Sequence, residues 1–170
     1  MDRERLTGRL SCREVKAIAA GMHGNGDDID GLFRLMLDAD SRVAYNAAWI
    51  MTHLRKEDKE MFLPRYRNAL TDLAVGEMKI RRGLVLSLLL DIPEPEEPRT
   101  DLIVFCLDHI ADGSEHDSSR SLMIKLAFKL CRPYPELLHG LRQILELLPP
   151  GLPPSIANAR GKALHGMARI

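Results

Sequence analysis

Aromatic residues are scarce in this sequence: one Trp, three Tyr and four Phe make 5% of 170 residues. A sheet protein of this size would carry more of them, together with β-branched residues, because both suit a pleated and half-buried surface. With 12 Gly and 10 Pro the chain has too little of either for a disordered or fibrous protein. The three cysteines, Cys12, Cys106 and Cys131, are odd in number, scattered and outside any C-x-x-C spacing. That offers no zinc or redox motif and predicts buried free thiols. No apolar run approaches the roughly 20 residues that span a bilayer; the longest, Gly83 to Leu90, is interrupted by Ser87. The opening MDRERLTGRLSCREV is charged throughout and lacks the apolar stretch of a secretory signal, so a soluble, cytoplasmic chain with no membrane partner is expected.

Net charge is missing too, since 24 basic and 24 acidic residues cancel. The overall basic charge of most dedicated nucleic-acid binders is therefore absent. The cancellation is uneven along the chain. Glu94 to Asp117 holds eight acidic residues against the single Arg99, and Ser118 to Ile170 holds eight basic residues against two acidic ones.

What the chain does have is helix formers in a repeating arrangement. Four segments open with polar or basic residues and then run apolar: Ser41 to Leu54, Met78 to Ile92, Ser118 to Cys131 and Ser155 to Arg169. Their arginines Arg42, Arg81, Arg120 and Arg160 recur every 39, 39 and 40 residues, the period of two-helix solenoid repeats. Between them lie further amphipathic stretches, Asp28 to Leu37, Lys59 to Leu73, Pro98 to Ile110 and Tyr134 to Leu148. The pattern reads helix A, turn, helix B four times, after a short leading helix at Ser11 to Met22, for about nine helices. Val43, Ala47, Ile50 and Leu54 share one face of the first B helix and should be core. Asp40-Ser41 is a helix-start signal, and Pro98, Pro133, Pro135 and the PPGLPP run at 149–154 punctuate the rest. The expected fold is all-α, a right-handed α-α superhelix of about four helix pairs, forming a single domain over residues 1–170.

With an Arg at the opening of each B helix and a YPEL stretch starting the last A helix, the chain resembles HEAT or armadillo-type α-α superhelices. The run from Arg81 to Leu145 and the SRVAYNAAW segment resemble a family of small bacterial HEAT-like proteins. The resemblance implies a helical-repeat fold and brings no catalytic residues.

Motifs of chemistry are mostly absent. There is no G-x-x-x-x-G-K-[ST], H-E-x-x-H or G-x-S-x-G. The Gly cluster Gly21 to Gly31 fails as a dinucleotide loop, with Ile29 where the third Gly belongs, and as a calcium loop, with Gly26 and Leu37 at ligand positions. It reads as a turn that caps the next helix. The six histidines form no i, i+3 or i+4 pair, so neither metal nor cofactor is expected and no catalytic residue is assigned.

Binding surfaces are the remaining option. On the first B helix Arg42, Tyr45, Trp49 and His53 cluster away from the core face, the aromatic and Arg combination that interaction hot spots use. Arg81 stands at the matching opening of the second B helix. Lys125, Lys129 and Arg132 form one basic stripe on the third B helix, and Lys162, His165 and Arg169 another on the fourth. If B helices line the concave side, these stripes are adjacent ridges. The leading expectation is a non-catalytic scaffold that binds a protein or peptide on the concave B-helix face. The alternative is nucleic-acid backbone binding through the basic stripes. The HEAT-like resemblance also raises an alkylpurine DNA glycosylase, but no Asp sits beside Trp49 on its helical face. Ile156, Ala163, Met167 and Ile170 suggest a homodimer through the C-terminal helix.

Overall fold

The computed structural model describes residues 1–76 and 81–170. The described residues hold helix and no strand. Residues 78–80, where the second repeated segment begins, lie outside them.

The leading helix α1 is Cys12–Gly21. The first A and B helices are α2 (Gly26–Met36) and α3 (Ser41–Thr52). The second A segment is a run of α4 (Lys56–Phe62), a 3-10 turn at Leu63–Tyr66, and α5 (Arg67–Val75). Then come α6 (Arg82–Asp91), α7 (Thr100–His109), α8 (Asp117–Cys131), α9 (Pro135–Leu147) and α10 (Pro154–Met167). Every expected A and B helix is present, with one break. The stretch expected as one helix over Lys59 to Leu73 is interrupted at Pro64, which has no N–H to donate and whose ring crowds the preceding turn. A short 3-10 turn at Glu4–Leu6 is an addition that the periodicity does not reveal.

Helix starts follow the local chemistry. Ser11 and Glu14 form a reciprocal capping box on α1. Asn25 caps α2 by accepting from the Asp28 N–H, and the turn before it uses Gly24 at φ 70°, a left-handed conformation in which a side chain would be strained. The Gly cluster is thus the capped turn that its sequence suggests. The Asp40 carboxylate accepts the N–H groups of Arg42 and Val43 at the start of α3. Pro135 and Pro154 open α9 and α10, where a missing N–H costs nothing.

The chain packs as two units, Met1–Leu70 with Asp91–Pro93, and Thr71–Leu90 with Glu94–Ile170. In the first, α3 packs on α1, α2 and the Glu4–Leu6 turn. Val43, Ala47 and Ile50 are fully buried there and Leu54 nearly so, as the periodicity requires. Asn46 reaches from α3 to donate to the Leu6 and Gly8 carbonyls, which ties down the N-terminal turn. In the second unit α8 packs on α7, α9 and α10. Gly166 on α10 lies close against α8: a Cβ there would be 2.7 Å from the Phe128 ring and would push the ring aside.

Two sequence expectations change. Ile156, Ala163 and Met167 are buried, and α10 packs on α8 and α9, leaving only Ile170 of the proposed dimer stripe exposed at 71%. The stripe is a packing face, because the last helix buries its apolar side within its own unit. Of the three thiols, Cys106 and Cys131 are buried, and desolvation pushes them up to about 12 and about 11. Cys12 is exposed instead, since it is the first residue of α1, a turn before burial begins at Val15.

Among the described residues no helix is long and apolar enough to cross a membrane.

Candidate functional site

On α3, the spacing of four residues between Tyr45, Trp49 and His53 stacks them along one side of the helix. The Tyr45 and Trp49 ring centroids are 6.4 Å apart, and Trp49 meets His53 edge to face at 6.2 Å. Both separations are those of favourable quadrupolar ring pairs. Tyr45 is exposed, and Trp49 and His53 are half-buried. The row is held from behind, because Val43, Ala44, Ala47, Ala48, Ile50 and Met51 of the same helix are fully buried. His53 is oriented by a 3.0 Å contact between its Nδ1 and the Trp49 carbonyl. A carbonyl only accepts, so Nδ1 is the donor. Arg42, one turn earlier, is exposed. The four residues expected to act together therefore do share one side of a rigid helix.

The basic residues have more varied surroundings. Arg81 is buried, and desolvation lowers its pKa, so it does not stand on a surface as Arg42 does. On α8, Lys125 is exposed, but Lys129 donates to the Leu90 carbonyl at 2.8 Å and Arg132 pairs with Glu94 at 3.0 Å. The acidic connector thus neutralises part of the stripe that the sequence presents as open. Lys162 and His165 on α10 and Arg169 just past its end are all exposed, while Ile156, Ala163 and Met167 are buried.

Sequence reasoning missed two buried polar clusters. Arg82, next to the residue singled out, is 4% exposed and spans three partners: it donates to the Ala74 and Gly76 carbonyls and to the Glu115 carboxylate. Its guanidinium lies over the Phe105 ring, 5.0 Å from the centroid. The second cluster is in the first unit, where the Asp58 carboxylate accepts from His23 Nδ1 and the Gly24 N–H, both at 2.9 Å. Burial pushes that carboxyl up, but the bonds from His23 and Gly24 outweigh it and leave it below the ordinary value. The sequence signal for the first was a charged residue at the opening of an apolar helix, whereas Asp58 lies in the charged run at Lys56–Glu60 and gave no signal.

Comparison with known proteins completes the description. The model of the HEAT repeat domain matches residues 2–167. The chain belongs to the HEAT repeat family. HEAT repeats generally serve as protein-interaction scaffolds, and the family is typically non-catalytic. The α-α solenoid class implied by the 39-residue period is thereby reached from two directions, period and family. No curated protein and no solved structure matches the chain.

Proposed function

We propose that residues 1–170 act as one non-catalytic scaffold domain that takes a protein or peptide partner on its B helices, with Arg42, Tyr45, Trp49 and His53 as the anchor. The carrying observation is the row of three rings on α3, seated on a fully buried opposite face. A helix so held loses little freedom on binding, and amphipathic rings offer large contact area with a polar edge. Arg42 adds a directed charge, so the partner chemistry is an apolar side chain followed by a carboxylate.

Selection from a displayed peptide library tests this, with labelled peptides titrated against the native chain, Tyr45→Ala and Trp49→Ala. The expected result is at least about tenfold weaker binding for each variant, with unchanged circular dichroism. Selected peptides that bind all three equally would remove the site.

The exposure of Lys162 and His165 on α10 and of Arg169 just past its end favours a second reading, a polyanion such as a nucleic-acid backbone. Oligonucleotide titration at two salt concentrations checks it. Affinity should fall steeply with salt, and no binding at low salt would end this reading.

A further inference from the structure

The turn between α7 and α8 brings together three side chains that no scaffold role uses. His109 ends α7, Asp112 lies in the turn, and Glu115 precedes α8. One ligand atom from each lies within 4.8 Å of the other two. We propose that His109, Asp112 and Glu115 bind one divalent first-row transition ion, of the Zn²⁺ or Co²⁺ kind.

Each ligand is already held in position by a group outside the triad. His109 Nδ1 is 2.8 Å from the Phe105 carbonyl, and its ring stacks on the Phe105 ring at 4.1 Å. The carbonyl makes Nδ1 the protonated nitrogen and leaves Nε2 as the ligand, the arrangement by which a backbone acceptor orients a metal-binding imidazole. Asp112 is fixed by the Ser114 N–H at 2.8 Å and the Ser114 hydroxyl at 3.0 Å. Glu115, whose side chain is 1% exposed, is fixed by Arg82. Arg82 is in turn anchored on two backbone carbonyls, so it orients the carboxylate without competing for the other two ligands.

The surroundings favour a cation. His109 and the turn lie at the C-terminal end of α7, the negative end of a ten-residue helix dipole. The segment from Glu94 to Asp117 carries eight acidic residues against one Arg; Glu94 and Glu115 are paired with Arg132 and Arg82, and the others add to the negative charge of the segment. One imidazole and two carboxylates suit Zn²⁺ or Co²⁺, with a position left for water, and suit Ca²⁺ poorly because it takes all-oxygen shells. The ion would lock the end of α7 to the start of α8. Sequence reasoning sought paired histidines and passed over this set, in which two carboxylates three residues apart replace the second imidazole.

Calorimetric titration of the full chain with Zn²⁺, and with Co²⁺ followed by its visible absorption, tests the site. The expected result is one ion per chain, with Ca²⁺ at least about tenfold weaker. His109→Gln and Asp112→Asn should each weaken Zn²⁺ at least about tenfold and abolish the metal-induced rise in Tm. Both keep the size of the side chain, and unchanged circular dichroism and metal-free Tm would show that they remain folded. Absence of stoichiometric binding, tighter Ca²⁺ than Zn²⁺, or equal Zn²⁺ affinity in both variants would overturn the proposal.

Discussion

Arg42 at the start of α3 and Arg120 at the start of α8 occupy the same place in the 39-residue period, yet one is in water and the other is buried. At α3 the Asp40 carboxylate caps the helix start and Arg42 points to solvent. At α8 Arg120 Nε turns inward and donates to the Ile110 carbonyl at the end of α7, at 2.8 Å. The difference extends along both helices. The outward side of α3 keeps its rings and its arginine toward solvent, whereas on α8 Lys129 and Arg132 are engaged by Leu90 and Glu94. A repeated residue type marks a repeated helix; its neighbours decide whether it is surface or structure.

The largest effect expected lies on the α8 side. Arg82→Met would leave the Glu115 carboxylate buried without its partner and cost about 3–5 kcal/mol, read as a loss of Tm. Adding Glu115→Gln should recover much of that loss, because the uncompensated charge is then gone. In the α3 unit the counterpart is Asp58. Asp58→Asn should cost about 1–3 kcal/mol near neutral pH by weakening the bonds from His23 and the Gly24 N–H. The Asp58 carboxyl sits below its ordinary 3.8, so its stabilisation is complete above that value and is lost as pH falls through the lower folded value. Denaturant melts of the two proteins should therefore converge in strong acid, and a gap that stays constant would refute the assignment.

The arginine pair tests the comparison most directly. Arg120→Ala should cost about 1–3 kcal/mol, since it orphans the Ile110 carbonyl, whereas Arg42→Ala should change stability by less than about 0.5 kcal/mol. Equal losses in chemical denaturation would erase the distinction. Between these two falls Asp40→Ala, about 1 kcal/mol for the lost cap of α3. Thermal melts should show it, and should show no change for a substitution at His116, which makes no side-chain cap at α8.

Much of this architecture was legible residue by residue. Val43, Ala47, Ile50 and Leu54 announce a buried face because hydrophobic burial follows the helical period. Asp40, Asn25, Pro135 and Pro154 announce helix starts because capping is local chemistry. Pro64 was equally visible, and a strict reading of its missing N–H places the break within the second A segment. The sharing of one side of α3 by Tyr45, Trp49 and His53 also follows from spacing alone. The fate of Arg81, Arg82 and Arg120 does not, because burial of a charge depends on carbonyls and carboxylates contributed by other helices. The same holds for the α10 stripe, which reads as an open dimer face until α8 covers it.

By itself, then, the sequence determined most of the helices, their period, several of their caps and the inward face of α3, all properties set within one or two turns of backbone. Only the tertiary structure decided which charges are free. Arg82 finding Glu115, Glu94 reaching Arg132, and His109, Asp112 and Glu115 converging on one turn all depend on distances between helices. Electrostatic and coordination chemistry acts over a few ångströms in space, whatever the separation along the chain.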